Sequence, residues 1–511
     1  MKTKKNLLYI CAAATAICGL ASCNDFLDTM PDKRTEINTP EKVRDILVSA
    51  YPTFTSMPMF EYMSDNYDDN GDLYSYSYNQ VREFYYWEEL VETTQDSPSG
   101  IWSDAYGAIA AANQALVSIE ELGNPEECMP YKGEALLCRA YGHFVLANVF
   151  CMAYNEATAS ENLGIPYITA PETSVGVAYD RGTLQEVYEK IDADIEAALP
   201  LIEGINFDVP AYHFNEKAAY AFAARFNLFY GKDYDKVINY ATQAIGEDPT
   251  SVLRDLSGYS KFTNTEEWGR GYVDQDEPAN LLLTTNYSYY PRLANQRYGI
   301  TESILRASLV WSYFPGNNLL PVYDRVFHYE YRSYFVPKII EFFEVTNPVA
   351  QTGQIHIVLP VFTTDETLLC RAEAHILKKE YDAAATDLSY WYQKKGIEAH
   401  TAAEIIEFYD EPTGENDETP RCNPANRTPL NTGVAYDHDQ TCMLYAVLHA
   451  RRTEGIHEGL RWLDIKRYGL TVTHNIHNGE PIVLEANDLR KAVQIPEEVL
   501  TAPGNMTPNP R

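Results

Sequence analysis

Two short segments come nearest to metal chemistry by residue type and spacing. His474 and His477 form an HxxH pair, but the Asn and Gly around them indicate a surface loop rather than a helix face that would converge both imidazoles. The run Asp65-Asn66-Tyr67-Asp68-Asp69-Asn70-Gly71-Asp72 is similar to a calcium loop. With Gly71 as position six, Asn66, Asp68, Asn70 and Asp72 fall at ligand positions, yet position twelve is Ser77 where a bidentate Glu belongs. These four residues are a weak calcium candidate, and no metal is expected. HExxH, GxSxG, Walker and GxGxxG patterns are all missing, so no catalytic residue and no cofactor are expected. A glycosidase would need two carboxylates at a set separation, which 73 Asp and Glu neither establish nor exclude.

Aromatic rings in irregular segments are the better lead. The chain has 39 Tyr against 19 Phe, so the surplus lies in rings with a polar edge, suited to wet surfaces. A sugar's axial C–H face stacks on Trp or Tyr, while its hydroxyls bond to Asn, Asp, Arg and Tyr. Tyr74, Tyr76 and Tyr78 alternate, which puts them on one face of an extended segment. By loop placement and ring chemistry the candidate ligand residues are Trp87, Tyr74, Tyr76, Trp268, Tyr289, Tyr290 and Trp311.

Charge narrows the partner. Forty Lys+Arg against 73 Asp+Glu give −33 over 511 residues, opposite to what phosphate binding requires, so nucleic acid is excluded as a partner. Lys2, Lys4 and Lys5 precede an uncharged, mostly apolar run, Leu7 to Ala21, which ends in Leu20-Ala21-Ser22-Cys23. That run is shorter than the ~20 residues of a membrane-spanning helix and reads as a bacterial lipoprotein signal over residues 1–22, cut before Cys23. Acylation of Cys23, including palmitate-like chains, would anchor the protein. Losing the three lysines of residues 1–22, which hold no acid, takes the charge from −33 to −36. Cys128, Cys138, Cys151, Cys370, Cys422 and Cys442 then remain beside Cys23. No CxxC supports zinc or redox chemistry, and a buried free thiol is the commoner state in apolar helical patterns.

The elements that must position the rings are helices. Ile101 to Leu122 carries an apolar stripe of period 3.6, and Tyr131 to Phe150 is a second helix able to pack on it. Asn215 to Pro249 reads as a helix–turn–helix of 35 residues, close to the 34-residue tetratricopeptide period, and Thr363 to Gly396 is a related unit. Leu136-Leu137-Cys138-Arg139-Ala140 recurs as Leu368 to Ala372, and each Arg is expected to pair locally on the first helix of a hairpin. The fold class is therefore mainly α. Helix pairs fall near residues 101–152, 183–249, 363–396 and 441–469, with long irregular insertions at 62–99, 250–360 and 410–439. Insertions of this length usually carry function, and aromatic content argues against disorder.

Taken together these segments resemble the SusD/RagB-like outer-membrane lipoproteins of Bacteroidetes. The likeness rests on Cys23-Asn24-Asp25-Phe26-Leu27-Asp28, on Trp102, Tyr106, Ile109, Ala112 and Asn113 in one helix, and on Leu368 to Ala374. Its longest stretch is Arg451 to Arg467, similar to the pattern ERRxELxxEGxRWxDLxR, with Ala450, Gly455 and His457 as departures. Ile495-Pro496-Glu497-Glu498-Val499 resembles the family's IPxxE tail, whereas the end at Thr507 to Arg511 does not follow the family's QNPGY. The resemblance implies a SusD-like fold as a single domain over residues 23–511, lipid-anchored and surface-exposed at the outer membrane. It also implies a non-enzymatic protein that binds glycans and delivers them to a SusC-like TonB-dependent transporter. Peptide or glycopeptide capture is the alternative within the family; a surface glycosidase and a pure tetratricopeptide scaffold are readings from other classes. The charged residues of the C-terminal stretch are expected to form a structural ion-pair network, with neither Arg461 nor Asp464 catalytic.

Overall fold

A computed structural model describes residues 37–511 apart from 72–77, 91–92, 173–176, 206, 295, 306–312, 315–316, 319–332, 411–421, 503 and 505. All elements below belong to the unit Pro40–Arg511. The fold is mainly α. Helices α1 (Pro40–Leu47), α2 (Met57–Met63) and α3 (Asn79–Tyr86) lead into the long α4 (Pro98–Glu121) and α5 (Met129–Phe150). Then follow α6 (Leu184–Ile202), α7 (Glu216–Tyr230), α8 (Tyr234–Ile245) and α9 (Thr265–Tyr272). The C-terminal half holds α10 (Thr364–Leu377), α11 (Tyr381–Lys394), α12 (Ala402–Tyr409), α13 (His438–Glu454) and α14 (Leu460–Tyr468).

Local sequence sets these boundaries. The Ser97 hydroxyl accepts from Gly100 N at the start of α4, with Pro98 in the first turn where no N–H is missed. Thr183 and Glu186 form a capping box on α6, and Asn215, Asp233 and Asp437 cap α7, α8 and α13. Helix α4 packs on α5, α5 on α6, α7 on α8, and α10 on α8, α11 and α13. Phe144, Phe222, Phe226, Phe214 and Phe362 meet in the core with centroids 5.5–6.2 Å apart.

The repeated arginines pair as the repeat predicts. Arg139 on α5 reaches Asp194 on α6 through two bonds of 2.7 Å, and Arg371 on α10 reaches Asp387 on α11 at 2.8 and 2.9 Å. Both are fork-to-carboxylate bridges across a helix pair.

The insertion at 250–360 departs from expectation, because it contributes a sheet. Strands β1 (Asp68–Asp69), β2 (Asn280–Asn286), β3 (Tyr298–Thr301), β4 (Ser333–Tyr334), β5 (Phe342–Asn347) and β6 (Thr352–Thr363) are followed by a hairpin of β7 (Val472–His474) and β8 (Ile482–Leu484). Strand β6 is shared. Its first half pairs with β5 and its second, from Ile357 to Thr363, with β2. Pro360 thus lies where the strand has a partner on one side only, which tolerates the missing N–H.

Candidate functional site

Two of the three long insertions meet. Strand β3 pairs with β1 through Asp68–Gly299 and Asp69–Tyr298, and with β4 through Ile300–Tyr334, so residues 62–99 and 250–360 share one small antiparallel sheet. Arg297 clamps this joint, donating to both Asp69 oxygens at 2.9 Å. Beneath it, Tyr298, Tyr85, His474 and Trp87 stack in succession, with centroids 4.4, 4.1 and 4.3 Å apart. Arg297 and Arg490 lie over the outer rings, Tyr298 and Trp87, at 5.4 and 6.0 Å.

The histidines of this layer are structural. Both ring nitrogens of His474 face carbonyls, Tyr85 O at 2.7 Å and Ser64 O at 2.8 Å, while burial pulls the imidazole below its ordinary pKa against those carbonyls, Asp68 and Asp65. His477 is exposed and its backbone N–H donates to Asp69, so the HxxH pair splits between core and surface. His457 accepts from Val336 N at 3.1 Å and faces the hydroxyls of Tyr290 and Tyr67. Its left-handed backbone, φ 62°, stands where the resembled pattern has an aromatic residue, and the ring fills that role by stacking on Phe335.

The rim of the joint carries the exposed rings. Tyr78, at the start of α3, and Tyr289 are 49% and 45% exposed. Arg292 lies within electrostatic reach of both phenols, 5.9 Å from the Tyr289 centroid, and forks onto Glu341. Tyr289 is held from below, its backbone N–H donating at 3.3 Å to Asp96, whose carboxyl burial pushes up to about 7. Two phenols, a guanidinium and a carboxylate therefore share one solvent-facing surface.

Three sequence candidates require correction. Trp87 is 5% exposed, sits at a left-handed position with φ 51°, and its indole N–H donates to Met63 O at 2.9 Å. Its edge borders a cavity of about 560 Å³ lined by Glu88, Glu89, Glu498, Arg490 and Arg511, but it is no open platform. Trp268 is 3% exposed and packs on Tyr272 and Tyr259. Tyr290 is fully buried against Tyr67 and His457. Tyr289 is exposed. Tyr74, Tyr76 and Trp311 lie outside the described residues, as does Cys23. Tyr78 belongs to the alternation of Tyr74 and Tyr76, the signal that would have added it; nothing in the sequence marks Arg292.

The calcium candidate is a structural loop in its described part. Arg452 donates to Asn66 Oδ1 at 2.9 Å, taking up one of the candidate ligand oxygens. Asp68 accepts from Tyr85 and Asn475, and Asn70 bonds to the backbone of Gln296 and Arg297. Asp72 lies outside the described residues.

The C-terminal stretch forms the expected network. Arg451 contacts Asp464 at 3.1 Å, Glu366 at 3.4 Å and Glu373 at 3.5 Å; Arg467 bridges Glu373 and Asp464 at 2.8 and 2.7 Å. Arg461 forks onto Asp65 with two bonds of 2.8 Å. Burial pushes the Asp464 carboxyl up, and Arg451 with Arg467 overcomes it, holding it below the ordinary range. Arg451, Arg461, Glu366, Glu373 and Asp464 are buried and Asp65 and Arg467 partly so, which suits a structural role.

Comparison with known proteins agrees with this architecture. The SusD-like family model described as "Starch-binding associating with outer membrane" matches residues 25–228. A SusD superfamily protein from Bacteroides thetaiotaomicron aligns over 93% of this chain and 100% of its own, with a TM-score of 0.59 at 20% identity. A putative sugar binding protein from Bacteroides vulgatus aligns over 93% and 99%, with a TM-score of 0.62 at 18% identity. A SusD-like carbohydrate binding protein from Bacteroides vulgatus aligns over 93% of each chain, with a TM-score of 0.55 at 15% identity. No curated protein matches. Residues 25–228 thus match the SusD-like family model, and the chain shares its fold with these solved structures over 93% of its length. Among the described residues no helix is long and apolar enough to cross a membrane.

Proposed function

We propose that this chain is a glycan-binding lipoprotein of the outer membrane, anchored through Cys23, that captures polysaccharide or oligosaccharide and passes it to a SusC-like TonB-dependent transporter. The observation that carries the reading is the exposed pair Tyr289 and Tyr78 beside Arg292 and Glu341, raised on a buried aromatic layer. Phenol faces accept sugar C–H surfaces, and the ion pair offers donors and acceptors to hydroxyls. Support comes from the family description and from structural neighbours named as sugar or carbohydrate binding. The role is binding without turnover, and residues 23–511 act as one SusD-like domain.

The test is calorimetry with soluble starch, xylan, mannan and mucin glycans, with chromatography of the products. Binding of at least one glycan without new reducing ends is the expected outcome. Binding of peptides alone, or release of shorter sugars, overturns it. Replacing Cys23 with Ala is expected to abolish fatty-acid labelling and free the protein from the membrane fraction.

A further inference from the structure

Away from the ring-bearing joint, α12 ends beside the first turn of α13, and three side chains of different ligand type converge there. His438 and Cys442 are four residues apart on α13, which places them on one helix face. Asp410, the residue that ends α12, supplies a carboxylate to the same spot. One ligand atom from each lies within 4.8 Å of the other two. We propose that Asp410, His438 and Cys442 bind a divalent transition-metal ion of the Zn²⁺ class, with a fourth position open to solvent.

Distances fit. Bonds of about 2.0–2.3 Å from zinc to oxygen, nitrogen and sulfur place tetrahedral ligands roughly 3.3–3.8 Å apart, so small side-chain shifts close the set. The second observation is the far side of the imidazole. His438 Nε2 faces Asp410 at 2.9 Å, and Nδ1 faces Asp439 at 2.9 Å. A carboxylate on the nitrogen that does not bind the metal is the arrangement that orients a ligating histidine. Cys442 is buried while His438 is 59% exposed on its side chain, so the site has a protected sulfur and an open entrance.

The surroundings set the proton balance. Without metal, the two carboxylates favour the imidazolium, and burial followed by Asp410 and Asp439 pushes the Cys442 thiol up to about 11. Arg427, which donates to Asp410 O at 3.1 Å, is the cation that offsets them. Metal entry forms M–N, M–S and M–O bonds and releases the thiol proton to solvent, together with the imidazolium proton wherever His438 is protonated. No electron changes hands.

Co²⁺, a spectroscopic stand-in for Zn²⁺, provides the test on the whole purified protein. One equivalent is expected to give a near-ultraviolet thiolate-to-cobalt charge-transfer band, which Zn²⁺ then bleaches. Cys442→Ser, close to isosteric, is expected to lose the band. Asp439→Asn keeps it while weakening Co²⁺ binding about 10-fold. Circular dichroism reports whether each variant is folded. A wild-type protein without the band, or a band that persists in folded Cys442→Ser, overturns the proposal.

Discussion

The Arg451–Asp464 network and the Tyr78–Tyr289 rim are built from similar groups, guanidinium, carboxylate and phenol, yet the surroundings give them opposite work. In the network, Arg451 and Arg467 pair with Glu373 and Asp464 among packed helices, so these charges are spent on one another. At the rim, Arg292 and Glu341 pair near the surface, where such a bridge is worth about 0–1 kcal/mol, and Tyr78 and Tyr289 are 49% and 45% exposed. A motif rich in charge marks structure here. Exposed rings on the joint carry the proposed recognition.

Four substitutions sharpen this contrast, from the largest effect to the smallest. Arg451→Ala leaves Asp464, Glu366 and Glu373 with buried charge and lost partners, and a loss of ~3–5 kcal/mol in thermal unfolding is expected. An unchanged melting temperature would contradict the structural assignment. Trp268→Ala is expected to cost a similar ~3–5 kcal/mol by cavity formation, while glycan affinity of the folded fraction stays within twofold.

Lys466 gives a pH signature. Its ammonium donates to Asn148 O and Cys151 O, and burial pulls its pKa from 10.5 down to about 7. Between about pH 7 and 10 the unfolded chain holds more protons at this group, so stability rises with pH across that window. Wild-type protein is expected to gain about 2 kcal/mol from this group between pH 7 and about 9, and that slope disappears in Lys466→Met. Denaturant unfolding at the two pH values measures it; parallel profiles would contradict it. Glu61 and Asp96, pushed up to about 7, act below the window and with the opposite sign, since stability they lend at low pH falls as pH rises.

The scaffold was readable from sequence because its signals are local. Alanine spacing, Asp233 at a helix start and the repeated Arg139 and Arg371 locate the hairpins, and the arginines find Asp194 and Asp387 as a repeat demands. Strand β6 escaped because Gly353 and Pro360 interrupt its alternation, and only its divided pairing explains them. The site was half legible. Ring type and insertion length point to the segments that carry the proposed rim, and Tyr289 is among the candidates. Burial of Trp87 and Tyr290 depends on His474 and His457, partners 387 and 167 positions away, and no local pattern encodes which face is covered.

Tyr289→Ala separates the two regions most directly. The substitution removes an exposed ring, so unfolding is expected to shift by no more than about 0.5 kcal/mol. Affinity for the glycan that binds best to wild-type protein, measured by calorimetry, is expected to fall roughly 3- to 10-fold, the worth of one stacking contact. Undiminished affinity in Tyr289→Ala, with loss instead in folded Trp268→Ala, would contradict the assignment of recognition to the rim.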